Sequence, residues 1–340
     1  MKKLLLLCFL FLAIACARQG DRYVQITGYA QGGTYSVKLN MKGVRLPVEA
    51  LRDSVDALLL QIDTTLSGYN RKSLVARFNA GEKVPATPLF LEMYRLAREY
   101  WQRSGGLVDC AAGPVYDAWG FGFKNSRFPS EEEVSALLEK CGMGQLPEAL
   151  PVEDGLVDPA SLGLPQLNYN AIAQGYSCDV VARFLYRIGV KDMLVDIGEI
   201  WCDGVNPSGK EWAVGIDRPI DQPEEASEEL DGIWTSGEKP CGVVTSGNYR
   251  KFYIRDGRKY AHTINPRTGY PVSHNLLSAT VVSAESAADA DALATWCMVL
   301  GLEEARALLL ATPGLEGYLI YEDADGAMKE WASPGFTLRQ

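Results

Sequence analysis

Two carboxylates and a threonine hydroxyl stand in the alanine-rich stretch "ADADALATW", residues 288–296, which favours a helix. Two residues correspond to roughly 200° around a helix, so Asp289 and Asp291 cannot share a face, whereas Asp291 and Thr295 can. A carboxylate and a hydroxyl one turn apart suit a hard cation that also takes a main-chain carbonyl. We therefore predict that Asp291 and Thr295 face a metal ion and that Asp289 is a cap or first-turn charge. A solvated helix start is the alternative.

A second group of reactive side chains lies in "HTINPRTGYPV", where prolines and a glycine predict a tight loop. His262 lies within the alternating strand pattern "KYAHTI" beside that loop and is predicted to be a base, with a hydrogen-bonded core residue as the alternative. Arg267 suits bidentate contact with a phosphate or a carboxylate, or it braces the turn. With the neighbouring Thr268, these two residues form the candidate catalytic set.

Four stretches combine glycines with polar groups: "GYAQGGTYSV", "SGGLVDCAAGPVYDAWGFG", "NYNAIAQGYSCD" and "TSGNYRKFYIRDGRKYAHTINPRTGYPV". Glycine lets backbone approach a ligand closely, so the four together predict a ligand cleft. The third, Asn168 to Asp179, predicts a helix start after an extended segment, which offers free N–H groups to a phosphate. It is neither a Walker loop nor a GxGxxG motif.

Composition limits the classes of protein and of site. The 340 residues are 47% hydrophobic, enough for a large core in one elaborated domain or two lobes. A formal charge of −10 disfavours nucleic acid as a partner, because binding phosphates needs clustered Lys and Arg. The chain has only two histidines, His262 and His274, which excludes a histidine-rich metal site and leaves oxygen ligands for magnesium or calcium.

The first residues predict export. Lys2 and Lys3 precede an apolar run that is too short to span a bilayer, and small residues follow it up to Cys16. The end of this run, "AIAC", resembles a bacterial lipobox, which predicts a signal peptide over residues 1–15 and lipidation of Cys16, with a plain secretory signal as the alternative. We therefore expect a lipid-anchored protein on the periplasmic face of a bacterial membrane, with a formal charge of −12 once the two signal lysines are removed from −10.

Six cysteines remain after Cys8 and Cys16: Cys110, Cys141, Cys178, Cys202, Cys241 and Cys297. None forms a CxxC pair, which argues against a zinc cage or a disulfide scaffold. One disulfide is compatible with the sequence, but the spacing does not assign it.

Hydrophobic periodicity predicts helices and strands that are unevenly mixed. Strands flank the glycine turn of "YVQITGYAQGGTYSVKLN", and helices are predicted from Pro47 to Leu66, from Pro88 to Arg103, and from Ser130, whose hydroxyl with Glu133 makes a capping-box pattern. Later segments predict a helix ending at Gly189, the strand "MLVDIG", helices over 289–300 and through Leu310, and the strand "GYLIY". This order favours an α+β fold of mixed β-sheets packed with helices. The acidic segment around 219–236 is predicted to be a surface insertion.

The chain resembles the ApbE family of flavin transferases (FAD:protein FMN transferases) over roughly residues 24–325. The motifs that carry the resemblance occur in order: "YAQGGTYSV", "LSGYNRKSLVARFN", "GGLVDCAAGPVYDAWGFG", "NAIAQGYSCD", "VDIGEI", "TSGNY", "HTINPRTGYPV" and "DALAT". Each is weak alone, and the ordered set is specific. The resemblance implies a single ApbE-like domain, related to the T-fold, over 24–335 after a short tether at 16–23, with an FAD cleft between two lobes.

The resemblance also implies a reaction: FAD is split with Mg²⁺, and FMN passes as a phosphoester to a threonine hydroxyl of a partner protein, with release of AMP. Magnesium ligands would be Asp291, Thr295 and the main-chain oxygen of Ala171, and His262 would help to activate the acceptor. The partner would carry a Ser/Thr-Gly-Ala-Thr-like motif, as in exported flavin-bearing subunits of redox-driven ion pumps. FAD contacts would fall on Gln31, Tyr69, Leu107, Val108, Asp109, Asn168, Gln174 and Ile264.

Three positions depart from the family pattern. Gln31 stands where methionine is common, Asn168 where aspartate is common, and Gln174 where lysine is common. The last change removes a positive charge near the phosphates, which would lower FAD affinity or shift the work to magnesium and Arg267. Two alternative functions remain at this stage: a Mg²⁺-dependent FAD pyrophosphatase giving FMN and AMP, and a lipoprotein that binds FAD without turning it over.

Overall fold

The computed structural model describes residues 22–123, 128–219, 230–249, 252–255 and 258–339. The predicted signal peptide and Cys16 lie outside these ranges. Within them, no helix combines the length and the apolar character needed to cross a membrane.

Most helices match the predicted periodicity, whereas the short helices Leu74–Asn79 and Gly113–Ala118 have no counterpart in the prediction. In the described ranges they are α1 (Val48–Leu66), α2 (Leu74–Asn79), α3 (Pro88–Arg103), α4 (Gly113–Ala118), α5 (Glu131–Leu138), α6 (Ala173–Arg187), α7 (Ala287–Leu300) and α8 (Leu302–Ala311). The predicted capping box is present, because Ser130 accepts from the Glu133 N–H and the Glu133 carboxylate accepts from the Ser130 N–H. The 142–166 region contains short 3₁₀ turns at Met143–Gln145 and Pro159–Leu162.

The strands are mostly short. In chain order they are β1 (Tyr23–Ala30), β2 (Gly33–Asn40), β3 (Val84–Pro85), β4 (Leu156–Val157), β5 (Met193–Asp196), β6 (Ile200–Asp203), β7 (Ala213–Asp217), β8 (Leu230–Thr235), β9 (Cys241–Gly247), β10 (Phe252–Arg255), β11 (Arg258–Ala261), β12 (Ile264–Asn265), β13 (Tyr270–Pro271), β14 (Leu276–Ser283), β15 (Leu315–Glu322), β16 (Met328–Ala332) and β17 (Leu338–Arg339). Every pairing recorded between them is antiparallel. The α+β prediction is confirmed.

An eight-stranded sheet in the order β1-β2-β5-β6-β9-β14-β15-β16 organises the molecule. Its strands alternate side chains between two faces, as the period of two requires. Val244 and Val281 face a core formed with α7 and α8, whereas Val243 and Val282 face a core that includes Trp212 of the segment before β7. The three-stranded sheet β17-β8-β7 covers that second face. Helices therefore lie on one side of the large sheet and a small sheet on the other.

Three predicted boundaries need correction. Residues 230–235 form β8, and Trp234 is buried, so this part of the predicted 219–236 insertion belongs to the core. Residues 220–229 of the insertion lie outside the described ranges. Tyr23, assigned to the tether, is the first residue of β1, and β17 pairs with β8 beyond the predicted domain end at residue 335. A strand that carries few apolar residues shows little alternation, so it is hard to detect from periodicity alone.

Candidate functional site

Helices α6 and α7 meet at their first turns. Gly175 lies against the α7 backbone so closely that a Cβ atom there would overlap the Ala287 carbonyl oxygen and lie 2.9 Å from the Ala288 Cα. Glycine is therefore required at this crossing, where one backbone touches another. The contact brings the start of α6 next to Asp291, because the Gly175 N–H donates to the Asp291 carboxylate at 3.0 Å.

Asp291 is a buried carboxyl with spare acceptor capacity. Its side chain is almost inaccessible, and among the described residues only the Gly175 N–H donates to it. Burial raises the pKa of Asp291 to about 7, and the nearby Asp179 carboxyl adds to the rise. A carboxyl in this state gains from a cation that replaces the lost hydration.

Two further oxygens at this crossing are open. In a helix that continued backwards, the Gly175 N–H would donate to the Ala171 carbonyl, but it donates to Asp291 instead, and no described residue donates to the Ala171 oxygen. The Thr295 hydroxyl, half-buried one turn after Asp291, also has no hydrogen-bond partner in the described ranges. A carboxylate, a hydroxyl and a carbonyl are the oxygen donors that Mg²⁺ accepts. The described residues contain no cluster of three His, Cys, Asp or Glu side chains that would offer a competing site.

A second aspartate closes the crossing from the opposite side. The Asp179 carboxylate, on α6, accepts from the Ala287 N–H at 2.8 Å and from the Ala288 N–H at 3.0 Å. Each helix therefore supplies an aspartate to the N-terminal N–H groups of the other, since Asp291 does the same for Gly175. Burial raises the pKa of Asp179 to about 6, although the two N–H donors oppose that rise.

Asp289 is a first-turn residue of α7, as predicted, but it is neither the cap nor solvated. Ser286 is the N-cap, and its hydroxyl accepts from the Asp289 N–H. The Asp289 side chain is 1% exposed; it pairs with Arg103 at 2.7 Å and accepts from the Ser283 hydroxyl at 2.7 Å. This ion pair ties the end of α3 to α7, which the sequence analysis did not anticipate.

Of the predicted FAD contacts, Gln31 lies against α6 and Gln174 belongs to its first turn. Gln31 and Gly32 form the β1–β2 turn with φ of 53° and 83°, the left-handed pair of a type I′ turn. The Gln31 side chain donates to the Ser177 hydroxyl on α6. Gln174, in the first turn of α6, makes only a long contact of 3.5 Å to the Ile197 carbonyl, so its amide is available to a ligand.

Tyr69 presents an exposed ring beside the same helix start. Its side chain is 62% exposed, its hydroxyl accepts from Asn170 at 3.1 Å, and Phe123 packs edge-on at 4.9 Å between ring centroids. An exposed aromatic ring held from two sides is suited to stacking on a flat heterocycle.

The segment Leu107–Asp109 lies behind the α6 start. The Asn168 N–H donates to the Cys110 carbonyl at 2.7 Å, which joins this segment to the chain that enters α6. Asp109 is buried and accepts from the Ala111 and Met143 N–H groups. Burial raises the pKa of Asp109, and the backbone donors oppose the rise. The Asp109 carboxylate therefore shapes this loop, while Leu107 is only half-buried and the Val108 side chain is buried.

The "HTINPRTGYPV" loop contains residues with different surroundings. His262 follows the last residue of β11 and lies 6.4 Å from the Phe121 ring between centroids. Arg267 is exposed, and its guanidinium donates to the Gly105 carbonyl, two residues before Leu107. Arg267 thus joins its own loop to the loop that contains Gly105. This contact corresponds to the bracing role that the sequence analysis gave as the alternative to phosphate or carboxylate binding.

Two more residues of this loop differ in exposure, because Thr268 is exposed and Ile264 is buried. The Thr268 hydroxyl takes part only in long contacts within the turn, 3.4 Å to the Asn265 carbonyl and 3.4 Å from the Tyr270 N–H. The Ile264 side chain is buried among Val115, Trp119 and Val134, so that only its backbone is available for a contact with FAD.

The start of α6 therefore connects residues from distant parts of the chain. Gln31, Tyr69, the 107–109 segment and Asp291 each lie on, or one contact away from, residues 168–177. Sequence reasoning missed Arg103 as the partner of Asp289, and it quoted Gly175 and Asp179 within a motif without assigning them roles. A glycine in the first turn of a helix, followed by an aspartate one turn later, was the available signal.

Comparison with known proteins identifies the family of this chain. A family model described as the ApbE family matches residues 31–319. The curated FAD:protein FMN transferase of Escherichia coli K12 is 31% identical over 294 residues, which cover 84% of this chain and 80% of the relative.

Solved structures resemble the chain along nearly its whole length. The flavin transferase ApbE from Vibrio cholerae has a TM-score of 0.76 and 29% identity, covering 93% of this chain and 98% of that one. The apo flavinyl transferase ApbE of Pseudomonas stutzeri has a TM-score of 0.75 and 33% identity, covering 92% and 95%.

Proposed function

The chain belongs to the ApbE family and is a flavin transferase, and from this premise we propose that it uses Mg²⁺ to pass FMN from FAD to a threonine hydroxyl of a partner protein, releasing AMP. The observation that carries the proposal is the crossing of α6 and α7, where the buried Asp291 carboxyl, the Thr295 hydroxyl and the Ala171 carbonyl retain open oxygens. The N-terminus of α6, which carries the positive end of the helix dipole, lies at the same place.

Asp291, Thr295 and the Ala171 carbonyl are the proposed magnesium ligands. Their fit rests on donor type and on burial, because a carboxyl whose pKa is raised to about 7 by burial lacks a charge partner in the described ranges. When bound, Mg²⁺ would neutralise the charge that develops on the pyrophosphate oxygens. Asp179 and Gly175 keep the two helices in register, so that the three oxygens hold their positions.

Residues around the α6 start bind and orient FAD in this proposal. In the first turn of α6, the N–H groups of Ala173, Gly175 and Tyr176 are already paired within the protein, so the Gln174 N–H is the backbone donor proposed for a phosphate oxygen. The Gln174 amide donates to the phosphates where relatives commonly have lysine, Gln31 and Asn168 contact FAD from the neighbouring segments, and the exposed Tyr69 ring stacks on a flat part of FAD. The backbone of Leu107–Asp109 and of Ile264 completes the contact surface.

His262 is the proposed base for the acceptor. Its imidazole takes the proton from the threonine hydroxyl as the oxygen attacks the FMN phosphorus, and the bond from that phosphorus to the bridging oxygen breaks to release AMP. Arg267, which holds the Gly105 carbonyl, positions the loop that carries His262, and Thr268 shapes the same turn. Arg267 and Thr268 are therefore proposed to position His262, and His262 is proposed to accept the proton.

We also propose the setting of this reaction. The lipobox-like "AIAC" supports lipidation of Cys16 and attachment to the periplasmic face of a bacterial membrane, where the acceptor would be an exported flavin-bearing subunit of a redox-driven ion pump. The acceptor motif is a Ser/Thr-Gly-Ala-Thr sequence. Because the mature chain is acidic, nucleic acid is not a partner in this proposal.

An in-gel fluorescence assay tests the function. The protein is incubated with FAD, Mg²⁺ and a domain that carries the acceptor motif, and flavin fluorescence is read on the denatured acceptor. Transfer predicts a fluorescent acceptor whose signal disappears with EDTA and in Asp291→Asn, while Asp325→Asn, at an exposed turn, serves as the matched control. Free FMN without labelled acceptor would instead show a pyrophosphatase, and intact FAD with Mg²⁺ present would show a protein that only binds it.

A further inference from the structure

Two buried thiols face each other across the middle of the large sheet. Cys202 on β6 and Cys241 on β9 are directly paired in the antiparallel register, and their Sγ atoms lie 3.8 Å apart. Cys202 is 0% and Cys241 6% exposed. Among the six cysteines in the described ranges, this is the pair whose sulfurs are in contact.

From this geometry we infer that Cys202 and Cys241 form a disulfide in the mature exported protein. Directly paired residues of antiparallel strands have Cα atoms about 4.5–5.5 Å apart, which is within the span of a disulfide. Sulfurs already in van der Waals contact reach bonding distance by rotation of the side chains, so the strands keep their register. The bond is a modification of the chain and is independent of flavin transfer.

The reaction is a thiol–disulfide exchange. A disulfide oxidant of the export compartment supplies the electron acceptor: the Cys241 thiolate attacks one of its sulfurs and releases one oxidant thiol, and the Cys202 thiolate then attacks the Cys241 sulfur and releases the second. Two cysteine thiols are oxidised, the oxidant disulfide is reduced to two thiols, and the two protons lost by the cysteines are taken up by the two leaving thiolates.

The bond forms before the sheet closes over the pair. In the folded protein, contact with the Cys241 thiol and burial raise the pKa of the Cys202 thiol well above its usual value, which suppresses the reactive thiolate. Exchange therefore takes place while the exported chain is still folding.

The position of the bond gives it a structural consequence. β6 and β9 are the neighbours through which β1, β2 and β5 are joined to β14, β15 and β16, and their pairing is only three residues long. Gly242, next to Cys241, packs against the first residue of α7, because a Cβ at Gly242 would lie 2.8 Å from the Ala287 nitrogen. A disulfide here fixes the strand that supports the start of α7.

The first experiment is a thiol count by mass spectrometry. The full chain, with its signal sequence, is expressed with export and denatured directly in N-ethylmaleimide. We expect Cys110, Cys141, Cys178 and Cys297 to be alkylated and a tryptic peptide with Cys202 to be linked to the one with Cys241. A second sample is refolded in a mixture of reduced and oxidised glutathione. Alkylation of all six thiols in both samples, or a link between other cysteines, would overturn the inference.

Thermal unfolding with and without dithiothreitol provides the second readout. The disulfide would close a loop between residues 39 positions apart, which lowers the entropy of the unfolded chain. Dividing the resulting stabilisation by the unfolding entropy of a chain of this length gives a Tm that is higher by about 6 °C in the oxidised protein. We expect dithiothreitol to remove this difference in the unmodified protein and in the matched control Cys297→Ala, and to leave the Tm of Cys202→Ala unchanged. An equal effect of dithiothreitol on both variants would contradict the assignment. None of these measurements uses FAD, so a failure of the proposed transfer activity leaves them unaffected.

Discussion

Replacing Gly175 with alanine is the sharpest probe of the helix crossing that holds the proposed metal ligands. The added Cβ would overlap the Ala287 carbonyl oxygen and lie 2.6 Å from the Ala287 carbonyl carbon, where ordinary contacts begin at 3.4 Å. All of these neighbours are backbone atoms, so no side chain can rotate away. The two helices must therefore separate by roughly 1 Å, since protein interiors have no spare volume.

The magnitude follows from three contributions. Overpacking of this kind costs about 1–3 kcal/mol. Loss or weakening of the 3.0 Å bond from the Gly175 N–H to the Asp291 carboxylate costs about 1.5–3 kcal/mol. Alanine gains about 1 kcal/mol over glycine inside a helix. We expect the free energy of unfolding to fall by about 1.5–5 kcal/mol. A shift of roughly 1 Å at the reacting groups also predicts a loss of activity on the order of 100-fold.

The assays are urea denaturation and the initial rate of acceptor flavinylation as a function of Mg²⁺ concentration. Separation of Asp291 from the Ala171 carbonyl predicts that Gly175→Ala needs more Mg²⁺ for half-maximal rate. Gly237→Ala is the matched control, because a Cβ there has no atom within 4 Å. A Gly175→Ala protein with the stability of the parent and a flavinylation rate within about threefold of the parent rate would refute the reasoning. The close contact at Gly175 would then affect neither stability nor activity.

Three further changes test the surroundings of the site. Arg103→Met removes the partner of the buried Asp289 carboxylate. Because Arg103 itself is about a third exposed, we expect the free energy of unfolding, measured by urea denaturation, to fall by about 2 kcal/mol. Unchanged stability would show that the ion pair contributes nothing. Burial lowers the pKa of His274, whose ring accepts from the Leu276 N–H and donates to the Met298 carbonyl. The stability that the neutral ring contributes is therefore present above pH 6.5 and is lost as the pH falls through the lowered pKa of the folded state. His274→Gln should flatten the dependence of stability on pH in that window, and an identical slope would contradict the assignment. Gln174→Lys restores a charge at the α6 start, where the glutamine makes only a 3.5 Å contact, and we expect the KM for FAD to fall by about 5–10-fold with kcat little changed; a higher KM would place the phosphates elsewhere.

Much of the secondary structure was predictable because it depends on near neighbours in the chain. The bounds of α1 and α3 follow the apolar spacing, the stop of α6 follows Gly189, and the start of α5 follows its capping box. β8 was missed because its charged and proline-rich surroundings hide a single buried tryptophan, Trp234, which contributes to the core only once β7 and β17 lie on either side of it.

Residue types in the candidate site were also predictable, but their partners were not. The four-residue spacing of Asp291 and Thr295 places both on one helix face whatever the fold. Asp289, two residues earlier, is predicted to be a cap or first-turn charge, and the structure buries this first-turn residue because α3 brings Arg103 against it. Spacing states which face a side chain occupies, but not which element covers that face.

The sequence by itself determined the longer helices, the strands β1, β2, β5 and β15, the donor types at the site and, through its ordered motifs, the family. The tertiary structure alone decided which distant residues meet: Gly175 with Asp291 across 116 positions, Cys202 with Cys241 across 39, and Arg267 with Gly105 across 162. The physical reason is that helix periodicity and capping act over a few residues, whereas strand register and helix crossing are set by the packing of the whole core.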